Sequence, residues 1–281
     1  MTVRARIFFK SPVIEKLCKN IQFRPITQNT CNNLCVRASN ISIMFYICDM
    51  KKILLISLTA LSVLLACNFV VSGKHIKGNG VKVEKSYDLS AFNAIKINGP
   101  TDVVFSQGPQ SVVLTADENL IDIFEIEVRE GMLYVGIKRG FGYSSRVKIV
   151  VTVSSPELNS VKINGSGDFK IKDVLRTDGD FSVAMNGSGD FEADAIKCKN
   201  LISHINGSGD IEVNDLTASA ADIKINGSGD VTLECREVGA VTAKVNGSGD
   251  VDIYGNVASV SSKVNGSGKV KTHRGAFPAN D

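Results

Sequence analysis

The chain has 281 residues, with 32 Lys and Arg against 29 Asp and Glu, 6% aromatic residues and no tryptophan. That length allows one or two domains. The basic excess lies in the leader: residues 1–66 hold nine basic and two acidic side chains, leaving 23 and 27 for residues 67–281, so no basic stripe survives to suggest a nucleic-acid binder.

Residues 1–49 carry Cys18, Cys31, Cys35 and Cys48, scattered basic residues and no sustained periodicity. They read as a disordered, non-native N-terminal extension. Met50-Lys51-Lys52 then leads into an apolar run from Ile53 to Ala66. A basic start, an apolar core and a small residue at its end make a secretory signal peptide over 50–66, with Met50 the expected initiator. The alternative is a membrane anchor, because Ile53 to Val71 is long enough to span a bilayer, although Ser57, Thr59, Ser62 and Asn68 dilute it.

Leu64-Leu65-Ala66-Cys67 resembles the bacterial lipobox. That resemblance implies a lipid on Cys67 and a tether to one membrane leaflet; ordinary cleavage after Ser72 or Gly73 is the other reading. Asn68 in place of an aspartate after the cysteine favours the outer membrane, with its periplasmic or surface face left open. Residues 67–90 are polar and glycine-containing, and read as a flexible tether.

Folding is expected from residue 91 to residue 271. Ala94 to Val103 holds Asn98, Gly99 and Asp102 between apolar residues, a degraded copy of a unit that follows. The full unit, Asn-Gly-Ser-Gly, begins at Asn164, Asn186, Asn206, Asn226, Asn246 and Asn265. Its steps are 22, 20, 20, 20 and 19 residues, a period that marks stacked repeats. Five copies continue into Asp168, Asp190, Asp210, Asp230 and Asp250; the last continues into Lys269.

The residue before each asparagine is apolar (Ile163, Met185, Ile205, Ile225, Val245, Val264), as is the one after each aspartate or lysine (Phe169, Phe191, Ile211, Val231, Val251, Val270). Alternation on this pattern is a strand with one buried face. One such unit cannot bury its apolar side, and stacked copies can, with equivalent residues ~4.8 Å apart. The expected fold is all-β: a single-stranded parallel β-helix, or solenoid, with about 20 residues per coil. The tetrad is either a corner, where glycine supplies positive φ or close approach, or a straight strand passage with its two glycines inward.

Between Asn98 and Asn164 there is room for about three further coils, and Ser111–Thr115, Glu125–Arg129, Met132–Lys138 and Arg146–Val153 read as strands. That gives roughly nine coils in all, no helix, and a frayed tail over 272–281. Beyond Cys67 only Cys198 and Cys235 remain. They stand about two coils apart, too far for a disulfide, and are expected to be free and mostly buried.

The Phe92–Asp102 opening, Asn119-Leu120, Gly131-Met132-Leu133-Tyr134 and the tetrad series together resemble the head GIN domain, the family described as putative auto-transporter adhesins and frequent in the Bacteroidetes. The resemblance implies a right-handed parallel β-helix, exported, often lipid-anchored, with no established enzymatic activity.

Five carboxylates stacked ~4.8 Å apart repel by about 0.9 kcal/mol per neighbouring pair in water. The offset is either internal, from glycine amides, serine hydroxyls, Lys269 and the lysines Lys162, Lys224, Lys244 and Lys263, or a metal. Asp168, Asp190, Asp210, Asp230 and Asp250 are thus the candidate ligand or calcium positions, while no metal or other cofactor is required. The asparagines from Asn164 to Asn265 form the structural ladder.

A polysaccharide lyase or hydrolase on a β-helix is the alternative function. His75, His204 and His273 lie far apart, however, and no catalytic triad, metal-spaced cluster or phosphate loop occurs. Asn-Gly-Ser also matches an N-glycosylation acceptor, which a bacterial lipobox argues against. The favoured reading is a non-catalytic envelope module for binding, adhesion or scaffolding. Its candidate partners are the membrane through a lipid anchor, an envelope protein or glycan, and a second copy of the chain.

Overall fold

The computed structural model describes residues 74–275; the leader, the lipobox with Cys67 and the end of the tail lie outside them. Strands come first in short pieces: β1 (Lys74–Lys77), β2 (Lys82–Ser86), β3 (Ala94–Asn98), β4 (Asp102–Gln107) and β5 (Ser111–Asp117). A 3-10 turn, Glu118–Ile123, precedes β6 (Phe124–Arg129), β7 (Met132–Ile137), β8 (Phe141–Ser144) and β9 (Val150–Ser155). The repeats follow as β10 (Ser160–Gly165), β11 (Phe169–Arg176), β12 (Phe181–Gly187), β13 (Phe191–Gly207), β14 (Ile211–Gly227), β15 (Val231–Gly247), β16 (Val251–Gly266) and β17 (Val270–Arg274).

These strands wind into a parallel β-solenoid of about six turns at about 20-residue spacing. From β13 onward a single strand runs from one tetrad to the next, and each lies in register on its neighbour, with Asn206 beside Asn226 and Asn226 beside Asn246. Two walls meet at the tetrad. The wall before the corner stacks β7, β3, β10, β12 and the second halves of β13 to β16. The wall after it stacks β9, β4, β11, the first halves of β13 to β16, and β17.

Alternation in the sequence decides which side chains face in. Ile97, Ile163, Met185, Ile205, Ile225 and Val245 form one buried column, and Val103, Phe169, Phe191, Ile211, Val231 and Val251 another. Phe169 and Phe191 stack with ring centroids 5.8 Å apart, and Phe105 and Phe181 pack at 6.4 and 6.2 Å from that pair. Large aromatic area is thus concentrated in the N-terminal half of the core.

The N-terminal end differs from the expected run of further coils. Although 66 residues separate Asn98 from Asn164, the β3–β4 layer lies directly beneath β10–β11. The intervening chain forms an end cap: β7 and β9 pair parallel under β3 and β4, and β6 and β5 return antiparallel upon them. Leu120, Ile121 and Ile123 of the 3-10 turn are buried in the cap, so the expectation of no helix also needs correction. A solenoid end would otherwise leave apolar side chains bare, and antiparallel returns cover them.

Of the lead-in over 67–90, expected as a flexible tether, the described residues 74–90 carry two strands. β1 pairs with β8 and β2 with β5. The fully buried Asp117 carboxylate accepts the Gly80 amide at 2.6 Å and the Ser145 hydroxyl. Asn119 accepts the Asn79 amide and donates to the Lys77 carbonyl, both at 2.9 Å. These polar anchors fix a segment that has little apolar content of its own. At the opposite end no such cover exists among the described residues: Val264 is 37% exposed, whereas its column partner Val245 is fully buried.

Candidate functional site

The tetrad is a corner. Strands stop at its first glycine and resume after the aspartate, and Gly165, Gly187, Gly207, Gly227, Gly247 and Gly266 all have positive φ. Successive layers touch here through the backbone. The amides of Ser188, Ser208, Ser228, Ser248 and Ser267 each donate to the first-glycine carbonyl one layer below at 2.9 Å. A Cβ on Gly187 would sit 2.0 Å from the Gly165 oxygen, and one on Gly189 2.2 Å from the Gly167 oxygen. Close approach and backbone conformation together therefore demand glycine at the first position.

On either side of the glycines runs a hydrogen-bonded column. Each asparagine donates through Nδ2 to Oδ1 of the asparagine below, at 2.8–3.1 Å, from Asn98 through Asn265. Each aspartate below accepts, through Oδ1, the peptide N–H of the aspartate above: Asp190 on Asp168 at 3.0 Å, Asp210 on Asp190 at 2.9 Å, Asp230 on Asp210 and Asp250 on Asp230 at 2.7 Å. Lys269 closes the series by giving its amide to Asp250 at 2.8 Å.

Two readings of the sequence change here. The donors to the carboxylates are the peptides of the following aspartates, not the glycine amides or serine hydroxyls. The lysines before the asparagines are not the counter-ions either: among the described residues Lys162, Lys224, Lys244 and Lys263 make no ion pair with the aspartates. They project from the outer side of the wall before the corner. The countercharge present is at the C-terminal end, where Lys271 approaches Asp250 at 3.3 Å. The Lys269 amide first, and then Lys271, hold the Asp250 carboxyl below its usual value.

This arrangement explains why the sixth copy dispenses with its aspartate. A carboxylate in this column accepts the amide of the layer above it; Asp250 accepts that of Lys269, and no further tetrad stands above position 269 among the described residues. Oδ1 of each rung is already engaged, and no three His, Cys, Asp or Glu side chains gather around a common point among the described residues. The column therefore offers about one free oxygen per layer, a poor match to the six to eight oxygens that calcium takes.

The wall before the corner carries a row of lysines, and the wall after it carries mainly acidic side chains, with Lys170 and Lys271 paired among them. Before it, one outward column in register reads Tyr134, Lys96, Lys162, Ala184, His204, Lys224, Lys244, Lys263. After it, Glu192, Glu212 and Asp252 stand in one column, with Asp194 and Glu234 close by. Burial, together with Glu212 and Asp215, pushes the Glu234 carboxyl up. Arg236 grips Asp215 through two 2.9 Å contacts. His204 occupies a lysine slot on an exposed face, and His273 stacks on Tyr254 at 4.4 Å while contacting Asp252 at 2.8 Å.

Cys198 and Cys235 are free, half-buried and buried respectively, and burial pushes their thiols up to about 11 and about 12. Sequence reasoning missed one feature. At the N-terminal end of the lysine column is a cleft of about 800 Å³, lined by Tyr134, Lys96, Glu125, Glu127, Arg129 and Arg139 among others. Gly131-Met132-Leu133-Tyr134 was legible as a strand, but nothing in its spacing placed Tyr134 in line with Lys96.

Residues 91–276 match the family model described as "Putative auto-transporter adhesin, head GIN domain". The chain belongs to that family. Two solved structures are similar to this GIN-domain chain in fold. One, titled a putative adhesin from Bacteroides fragilis, is 21% identical over 70% of this chain and 99% of its own, with a TM-score of 0.60. The other, titled a putative adhesin from Parabacteroides distasonis, is 24% identical over 71% of this chain and 100% of its own, with a TM-score of 0.51. No curated protein matches the chain.

Proposed function

We propose that this chain is an exported, non-catalytic adhesion-type module whose solenoid presents long regular walls to a partner on the cell envelope. The observation that carries the reading is the uniformity of the corner. Asparagine, glycine and aspartate perform the same backbone-bracing task in every layer, so the most repeated polar residues of the chain are spent on structure. A catalytic site needs one layer that departs from the rule. The adhesin naming of the family and of the structural neighbours points the same way.

A carbohydrate-active enzyme is the second reading, and the cleft beside Tyr134 is what favours it, because its charged residues do not repeat. Two features weigh against it. Glu125 and Glu127 both bind the single Arg129 guanidinium, and the lining contains no histidine, cysteine or hydroxyl-bearing serine or threonine. The test is direct. Incubated with acidic and neutral polysaccharides, the protein is expected to release no new reducing ends and no unsaturated uronate, while beads coated with it adhere saturably to envelope surfaces. Turnover of any of these polymers would overturn the reading.

Anchoring at the outer membrane is part of the same proposal and rests on Leu64 to Cys67 in the sequence. Expression in a bacterial host should yield a membrane-fractionating form with an acylated Cys67, and Cys67→Ser should release it. A soluble wild-type product cleaved after Ser72 or Gly73 would contradict it.

A further inference from the structure

The lysine column is a feature that the structural role of the tetrad does not explain. The corner braces itself through peptides and amides, so Lys162, Lys224, Lys244 and Lys263 are not needed for its charge balance. All four are exposed, and among the described residues none is paired with a carboxylate. Like-charged side chains one layer apart repel, and a surface that keeps them without partners is suited to an external anion.

We propose that the outer side of the wall before the corner, from Tyr134 to Lys263, binds a linear acidic glycan carrying about one carboxylate per sugar. This deepens the adhesion reading and rests on it. Three observations define the ligand. Lys224, Lys244 and Lys263 rise along the axis on successive layers at ~4.8 Å, and Lys162 and Lys96 continue the column beyond His204 and Ala184. A chain with a carboxylate on every sugar therefore has acidic groups within reach of two clusters of lysines. Beside that column stands the asparagine ladder, in which Nδ2 uses one hydrogen on the asparagine below and keeps a second for a glycan oxygen.

The column also ends on an aromatic ring. Tyr134 has the Lys96 ammonium 5.5 Å and the Arg129 guanidinium 5.4 Å from its ring centroid, inside the cleft of about 800 Å³. An apolar sugar face can rest on such a ring while its carboxylate meets the cations. Around the corner the aspartate column, Glu192, Glu212 and Asp252 leave an excess of negative charge even with Lys170 on Glu192 and Lys271 on Asp250 and Asp252, which disfavours a polyanion there. Asp222, beside the lysines on the same wall, and Glu125 and Glu127, which line the cleft and pair with Arg129, are carboxylates the glycan must pass. Residues 67–281 carry more acidic than basic side chains, so affinity for a polyanion would come from this column and not from net charge.

The test uses the purified full-length protein and an octamer of galacturonate, titrated calorimetrically, with the methyl-esterified octamer and an oligothymidylate of equal charge as comparison probes. Lys224→Glu, Lys244→Glu and Lys263→Glu together are expected to weaken octagalacturonate binding about ten-fold or more, whereas the same change in charge at the exposed Lys148, Lys172 and Lys199 changes it by about two-fold or less. Tyr134→Ala should weaken it without altering the salt dependence. Loss of binding above about 0.5 M salt is expected, because surface charge is screened there.

Equal weakening by both triple variants, equal binding of the ester, tighter binding of the oligothymidylate, or no binding of the octamer by the wild type would each overturn the proposal. So would a concentration-dependent oligomer that the lysine triple variant abolishes, which would make the occupant a second copy's acidic wall. Bead adhesion that persists unchanged in the lysine variant would separate failure of the glycan assignment from failure of the adhesion reading.

Discussion

Gly207 has φ of 148°, and a Cβ there would lie 2.0 Å from the Gly187 oxygen. Gly207→Ala is expected to cost about 3 kcal/mol or more in urea unfolding; a loss under ~1 kcal/mol would mean that the layers do not touch at the corner. Asp210 tests the adjoining column. Asp210→Asn keeps an oxygen for the Asp230 amide and should be nearly neutral, whereas Asp210→Ala removes it and should cost about 1 kcal/mol. Asp250 adds a pH dependence. Its folded value lies below 3.8, so its contribution is fully present above that pH and is lost as pH falls through the folded value. Wild-type melting temperature should therefore fall more steeply than that of Asp250→Asn between pH 5 and about 2; parallel curves would contradict it. The need for glycine was legible in the tetrad itself. The donors to the aspartates were not, because a peptide N–H carries no mark in the sequence and its aim depends on how the corner turns.

Among the strands, the alternation at Val161-Lys162-Ile163 and its copies was enough to place inner and outer faces, because a parallel stack must hide one side of every strand. The same signal placed β5, β6, β7 and β9 as strands but not their partners. Whether Glu125 to Arg129 begins a new coil or folds back upon β7 depends on the end of the core needing cover, which is a property of the whole stack. The lead-in was misread for a related reason: β1 and β2 are held by Asp117 and Asn119, polar contacts that periodicity does not register. Among the inward positions of the repeat strands, Ser203 departs from the apolar rule. It is buried between Val183 and Ile223, and its hydroxyl has no partner. Ser203→Ala should raise stability by about 1 kcal/mol in urea unfolding; destabilisation would show that the hydroxyl is satisfied in solution.

For the molecule as a whole, the repeat does two things at once. Asparagine, glycine and aspartate at the corner hold the layers in register, and that register lines up lysines from neighbouring layers on one wall and mainly acidic side chains on the other. A surface with like charges stacked on neighbouring layers follows from that alignment, so function here depends on the layers being aligned. Spin labels placed at the tetrad serines measure that alignment most directly. With one label fixed at Ser166 and the other moved to Ser208, Ser228, Ser248 and Ser267, the mean separation is expected to grow by about 4.8 Å with each copy. Separations that fail to increase in copy order would show that the tetrads do not form one column.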